Sequence, residues 1–414
     1  MGDRHPTHLG SDTLVLINGV ALTGETLEPR PFARMLLAEG RITAFDRDEG
    51  LSTAHPQPID VRGGFVLPGL IDCHVHFDLA AAPAAYEQWS KSPLIRSLTC
   101  LHNGLLALSR GITAVRDLGC ADNLVLEYAA QIESGALLGP RVSAAGRAIT
   151  VTGGHFSSYG RVADGPTEVR KAVREQAGAG AKVIKLIATG GISTPGDPRA
   201  SQLTVEEMTA AVEEAHQRGL PVAAHAHTPA AILSALAVGV DTIEHAAFVD
   251  QLALEALTAS RATLVPTVSA LNSIASGLGI PDATVVKSLA ARDTYRESTR
   301  RAIRAGVRIA AGTDAGTALN PIGGLVDELL MYCDAGMTPY EALLSGTSRA
   351  GAVLGDGLGV IAVGRPADVL VVATDPRNDI AALRQPSHVI SRGRLVPMSW
   401  VHATLGQLSR AITG

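Results

Sequence analysis

Gly63-Gly64-Phe65-Val66-Leu67-Pro68-Gly69-Leu70-Ile71-Asp72-Cys73-His74-Val75-His76-Phe77-Asp78 changes character twice and ends in a His-x-His. Residues 65–67 read as the exit of one element, Pro68-Gly69 punctuates it, and the apolar run 70–75 is short enough for a buried strand. Successive strand side chains point to opposite faces, so His74 and His76 share a face, about 6 to 7 Å apart, within reach of one ion. The same alternation turns Cys73 away, which removes it as a ligand. A lone His-x-His more often pairs a core histidine with a surface one, so the reading depends on what surrounds it.

Working outward, short and mostly apolar runs recur at 112–118, 141–149, 183–188, 222–227, 242–245, 263–268 and 308–312. Helical patterns lie between them. In 204–218, Thr204 and Glu207 form a capping box, and Val205, Met208, Val212 and Ala215 form a stripe. Others run through 229–237, 293–305 and 324–333. Eight β/α units imply a (β/α)₈ TIM barrel in an α/β protein, with a doubly wound open sheet as the structural alternative. On either side the chain turns β-rich: 14–17, 34–37 and 41–45, separated by Asn-Gly, Glu-Gly and Gly-Gly turn signals, and then 367–372 and 388–396. The two ends are expected to pair into a small β-sandwich domain, 1–67 with 357–414, around a barrel over 68–356.

Chemistry in such a barrel sits at the C-terminal ends of strands. His74 and His76 end the first, Lys185 lies inside the fourth, His225 and His227 end the fifth, His245 ends the sixth, and Asp314 follows the eighth. A lysine within Val183-Ile184-Lys185-Leu186-Ile187 is costly to bury charged, so it should be neutralised, paired or modified. Five histidines, a lysine and an aspartate on one rim point to a metal site. A satisfied polar network in a barrel mouth accounts for one or two such residues only.

These residues, with His-x-His after Pro68-Gly69-Leu70-Ile71-Asp72 and with Gly312-Thr313-Asp314-Ala315-Gly316, resemble the amidohydrolase superfamily over nearly the whole chain. Within it, Thr152-Gly153-Gly154-His155, Ile184-Lys185-Leu186-Ile187-Ala188-Thr189-Gly190-Gly191, His225-Ala226-His227 and Ile243-Glu244-His245 are similar to prolidase-like Xaa-Pro and Xaa-Arg dipeptidases and to ochratoxin-hydrolysing amidohydrolases. Gly364-Arg365-Pro366-Ala367-Asp368-Val369 resembles the strand that completes the satellite sandwich.

The resemblance implies two divalent metal ions, usually Zn²⁺. His74, His76 and Asp314 would hold the buried ion, His225 and His245 the more exposed one, and Lys185, N-carboxylated by carbon dioxide, would bridge them. A metal-bridging hydroxide would attack an amide carbonyl, with Asp314 shuttling the proton to the departing amine. His227 would contact the scissile carbonyl or a substrate carboxylate. Many dipeptidase-like relatives carry Tyr there, whereas the ochratoxin-hydrolysing type carries His. For His155 the family implies contact with a substrate carboxylate; the alternative is an ordinary loop histidine. Glu244 alternates away from the site and reads as a structural ion-pair partner.

The 414-residue chain is 46% hydrophobic and 18% charged, with net charge −5 and scattered Lys and Arg, which argues against nucleic acid or an anionic membrane as partner. Cys73, Cys100, Cys120 and Cys333 show no CxxC pairing, and the polar first residues lack an apolar core region, so a cytoplasmic protein is expected. The loops 79–86 and 270–280 are apolar and uncharged, favouring a small-molecule amide with a hydrophobic acyl or amino-acid moiety. Relatives often form large homo-oligomers, and one is expected here. A superfamily hydrolase of a carbamate, urea, lactone or phosphoester would share every ligand. An imidazolonepropionase-like hydrolase or a deaminase would use one metal. A binding protein that kept the fold would be expected to have lost a ligand.

Overall fold

The computed structural model describes residues 13–45, 58–83, 90–193, 196–277 and 279–413. Both ends of the chain contribute to one mixed eight-stranded sheet. From the N-terminal side come Leu14–Thr23, Glu28–Ala38, Arg41–Phe45, Ile59–Asp60 and Phe65–Pro68; from the C-terminal side come Val369–Val372, His388–Ser391 and Arg394–Leu395. The two ends join at the antiparallel pairing of Val369–Val372 with Phe65–Pro68 and at an isolated bridge between Arg41 and Pro366. Leu16, Met35, Leu37, Val66, Val369, Val371 and Ile390 bury one continuous apolar cluster from both ends.

Turn chemistry explains part of this sheet and corrects part of the sequence reading. Glu39 (φ 52°) and Gly40 (φ 72°) make the tight hairpin their sequence predicts. Asn18-Gly19 does not turn: Leu14–Thr23 runs straight through it, Asn18 taking φ 61°. A Cβ at Gly19 would lie 2.4 Å from Val61 and 2.9 Å from Phe32, so glycine there admits neighbouring core side chains.

The middle of the chain forms parallel strands. Leu70–Val75, Ile112–Asp117 and Arg141–Ala144 make one sheet. Ile149–Thr150, Arg161–Val162, Ile184–Ile187, Val222–Ala226, Thr242–His245 and Thr263–Val265 make a second. The two are stitched together on both sides. Lys182 N–H donates to the Ala144 carbonyl (2.9 Å). On the other side, residues 308–315 bridge Leu264 through Ile309 and Val75 through Ala315. The expected strand 308–312 therefore exists as isolated bridges, and the expected run 141–149 is split where Gly146 turns at φ 68°.

Helices cover the parallel strands. The capping box of Val205–His216 is formed on both sides, with Glu207 N–H to Thr204 Oγ1 at 3.2 Å and Thr204 N–H to Glu207 Oε2 at 2.8 Å. Met208, Val212 and Ala215 are buried, but Val205, in the first turn, is 47% exposed and outside the stripe. Pro229–Ala237, Asp282–Arg304 and Leu325–Asp334 fall where periodicity places helices, the second starting earlier than expected. The terminal helix Met398–Thr413 had no counterpart in the sequence reading; Val401, Leu408 and Ile412 pack it into the main core. Among the described residues no helix is long and apolar enough to cross a membrane.

One wall of the site was misread. Residues 268–275 are a helix, Val268–Ala275, whereas the sequence reads as a strand ending at 268 and a loop over 270–280. Its N-cap, Thr267, makes no side-chain cap. Instead Glu328, on Leu325–Asp334, accepts from the N–H of Val268 and of Ser269, both at 2.7 Å, placing a carboxylate at the helix N-terminus. Glu328→Gln keeps the shape but turns one acceptor into a donor facing those N–H groups. It is expected to lower unfolding free energy by about 1–3 kcal/mol in denaturant titration; an unchanged midpoint would show that the helix is held otherwise. Of the other apolar loop, 84–86 lie outside the described residues, as does Leu278.

Candidate metal centre

The strand ends bring the predicted residues into one cleft, lined by His74, His76, His155, Lys185, His225, His227, His245 and Asp314. The ligand atoms of His74, His76 and Asp314 all lie within 4.8 Å of one another. Asp314 Oδ1 is 3.1 Å from His76 Nε2 and 3.4 Å from His74 Nε2. The remaining imidazoles close the ring. Centroids stand 5.0 Å apart for His74 and His245, 4.6 Å for His245 and His225, 4.5 Å for His225 and His227, and 4.7 Å for His225 and His155.

Each imidazole expected to bind metal has one nitrogen engaged by an oxygen behind it. His74 Nδ1 meets Glu244 Oε2 at 2.9 Å, and His76 Nδ1 meets the Gly119 carbonyl at 2.8 Å. His225 Nε2 meets the Gly190 carbonyl at 3.0 Å, and His245 Nδ1 meets Thr267 Oγ1 at 2.7 Å. An imidazole that donates from one nitrogen keeps a lone pair on the other, the form a metal takes. Burial, then the Lys185 charge, holds His74 down to about 4. Burial also pushes His225 and His245 well below the ordinary value, neighbouring histidines adding to the effect. His76 goes the other way: burial opposes it, but Asp314 draws its pKa upward. Nitrogen and oxygen donors in this number fit divalent ions.

Lys185 is 3% exposed on Ile184–Ile187, and burial lowers its ammonium to about 8 against the pull of Glu244 and Asp314. His227 is buried, its Nδ1 has no hydrogen-bond partner among the described residues, and burial lowers it to about 4. His155 is buried beside His225 and lowered to about 3, by burial first and His227 second. Its loop is fixed at both backbone ends, Gln202 accepting its N–H and Thr150 donating to its carbonyl. Gly191 is what admits it, since a Cβ there would lie 2.4 Å from the imidazole. Together Gly190 and Gly191 supply an acceptor for one histidine and room for another.

Glu244 is not turned away from the site as strand alternation predicts. His245 (φ 76°) and Ala246 (φ 54°) sit in the left-handed region, so the alternation fails at the strand's end and both Glu244 and His245 reach inward. Glu244 is fully buried between His74 and Arg116, whose Nη2 donates at 2.8 Å. Burial pushes its carboxyl up, but Arg116 and His74 overcome that and hold it at about 2. Arg116 also donates to the Cys73 carbonyl at 2.7 Å and to Thr242 Oγ1 at 3.0 Å. Asp72 accepts from His74 N–H (3.2 Å), Thr313 N–H (3.0 Å) and the Thr313 hydroxyl (2.6 Å), which locks the His-x-His strand to the segment carrying Asp314. The sequence reading gives Arg116 and Asp72 no role, although Asp72 belongs to the quoted motif; a charged residue inside an apolar run is the available signal. Cys73 faces the Ala350 carbonyl, away from the histidines.

The amidohydrolase family profile matches residues 65–396. The chain is 32% identical over 376 residues to the ochratoxinase of Aspergillus niger, spanning 80% of this chain and 75% of that protein. It is similar to a solved prolidase complexed with N-methylphosphonate-L-proline (TM-score 0.84, 33% identity, 93% and 99% coverage). It is also similar to a solved Xaa-Pro dipeptidase with methionine in its active site (TM-score 0.84, 29% identity, 93% and 100% coverage).

Proposed function

On the premise that the chain belongs to the amidohydrolase family, and is therefore a hydrolase of amide bonds, we propose that it cleaves a peptide or N-acyl amino acid with two divalent ions, most simply zinc. One observation carries the reading: four buried imidazoles line the cleft that holds Asp314 and Lys185, each engaged at one nitrogen by an oxygen and so left with the other as a ligand atom. His74, His76 and Asp314 would hold one ion, His225 and His245 the other, and Lys185, N-carboxylated, would bridge them. The lysine suits that role because burial, bringing its amine down to about 8, makes the neutral form that attacks carbon dioxide far more accessible than in an exposed lysine.

When bound, the ions supply Lewis acidity to the scissile carbonyl and to the attacking water. Asp314 accepts the proton that water loses and returns it to the departing amine nitrogen. Its carboxyl starts ionised: burial pushes it up, but His74, His76 and Lys185 hold it below the usual carboxylate value. His227, its Nδ1 unpartnered among the described residues, positions the scissile carbonyl or the substrate carboxylate, and His155 lies beside His225 for the latter role. Ile192, Ala270, Leu271 and Ile274 offer an apolar wall to the acyl or side-chain group, which favours a bulky hydrophobic moiety as in an ochratoxin-type amide.

The fold belongs to the same proposal. The hydrogen bonds across residues 144 and 182, and those of 308–315, support closure of the parallel strands into a (β/α)₈ barrel over 68–356. The sheet shared by both chain ends supports a satellite β-sandwich from 1–67 and 357–414. Free thiols at Cys73, Cys100, Cys120 and Cys333 fit a cytoplasmic location, and a homo-oligomer completes the picture.

Metal content by plasma emission, on the preparation used for a panel of Xaa-Pro, Xaa-Arg and N-acyl-phenylalanine substrates, tests this. Two ions per chain with amide cleavage are expected. One ion or none after full loading, with no substrate cleaved, overturns it.

A further inference from the structure

The four histidines differ in what stands behind them. The Gly119 and Gly190 carbonyls can only accept, and Glu244, ionised against Arg116, also only accepts, so His76, His225 and His74 must donate from the engaged nitrogen. His245 alone faces a hydroxyl, Thr267 Oγ1, which could equally well donate to Nδ1 and drive the proton onto Nε2. Its tautomer is therefore not decided by the group it touches.

We infer that Tyr295, which no metal-site motif contains, selects the metal-binding tautomer of His245 through Thr267. The Thr267 hydroxyl stands 3.0 Å from Tyr295 Oη, and Tyr295 Oη in turn donates to the Pro266 carbonyl. That carbonyl cannot donate, so the tyrosine proton is committed to it. Tyr295 Oη then accepts from Thr267, and Thr267 Oγ1 is left to accept from His245 Nδ1–H. The chain of donors runs one way, His245 to Thr267 to Tyr295 to Pro266, and leaves the lone pair on Nε2. All three side chains are buried, Thr267 at 0% and Tyr295 at 2% exposure, so bulk water does not offer a substitute donor or acceptor. The arrangement is also bought locally: Thr267 holds φ 56° and forgoes capping the helix Val268–Ala275, the task Glu328 performs. Tyr295 and Thr267 are positioning residues, acting on the ion only through His245.

The inference rests on the two-ion reading, and its test is made to fail separately. In metal-free protein with ¹⁵N-labelled histidine, the His245 signals, assigned by their loss in His245→Gln, report which nitrogen carries the proton. Wild type is expected to show Nδ1–H. Tyr295→Phe frees the Thr267 proton and is expected to populate Nε2–H, with zinc affinity at one of two sites falling about 10- to 100-fold in chelator competition. Thr267→Ser, which keeps the hydroxyl, should hold the wild-type tautomer, and Thr267→Val should lose it. An unchanged tautomer and zinc affinity in Tyr295→Phe overturns the inference. Should that variant not fold, identical tautomers in Thr267→Ser and Thr267→Val overturn it. Wild type that takes up no zinc but shows these tautomer changes sinks the two-ion reading and leaves the relay standing.

Discussion

Asp314→Asn is expected to lower turnover about 10²- to 10⁴-fold, the range that a positioned proton carrier contributes, while the variant folds and keeps most of its bound metal. The separation follows from the local backbone. Asp314 sits at φ 56°, a left-handed conformation that Asn adopts at least as readily as Asp, so the substitution adds no strain. Its amide N–H is fixed to the His74 carbonyl at 2.8 Å whatever the side chain is. The remaining amide oxygen can still face His76 and His74, but it cannot take a proton and carry it to a leaving amine. Turnover measured beside metal content in the same preparation checks this. Metal loss as severe as that of His74→Ala would mean that Asp314 acts chiefly as a ligand, and its role as the proton carrier would fall.

The sequence announced the residues on strand ends and missed those behind them, for a physical reason. His74, His76, Lys185, His225, His245 and Asp314 are polar residues ending or interrupting apolar runs, a local anomaly that one window reveals. Tyr295 lies in the middle of the helix Asp282–Arg304, in an ordinary-looking helical context, and meets Thr267 only in three dimensions. Glu244 was visible but misdirected, because the alternation rule assumes extended backbone and His245 is left-handed. Arg116 was legible in principle: a guanidinium within Thr113-Ala114-Val115-Arg116-Asp117 demands a buried anion, and Glu244 is that anion. Runs split at glycine, such as that interrupted at Gly146, and the helix Val268–Ala275 depend on long-range contacts that periodicity does not carry.

Lys185→Met should separate stability from metal binding in opposite directions. Methionine fills a similar volume, and at 3% exposure the position of Lys185 already shields a side chain from water. Burial disfavours the lysine's charged form, so replacing the amine should leave the melting temperature of metal-free protein unchanged or raised. The same change removes the only nitrogen on that strand that carbon dioxide can modify. Bound metal should fall from two ions per chain toward one or none, and amide hydrolysis should fall with it. Lys185→Ala extends the argument, because it opens space where the side chain lay. A short carboxylate such as acetate or propionate, added with zinc, supplies the two anionic oxygens that the modified lysine would have offered, and partial recovery of both metal and activity is expected. Two ions and full activity in Lys185→Met would rule out the bridge and leave Lys185 an ordinary buried lysine. Loss of melting temperature in the metal-free protein would instead assign the amine a structural partner, with Glu244 and Asp314 the anions whose charge acts on it most strongly.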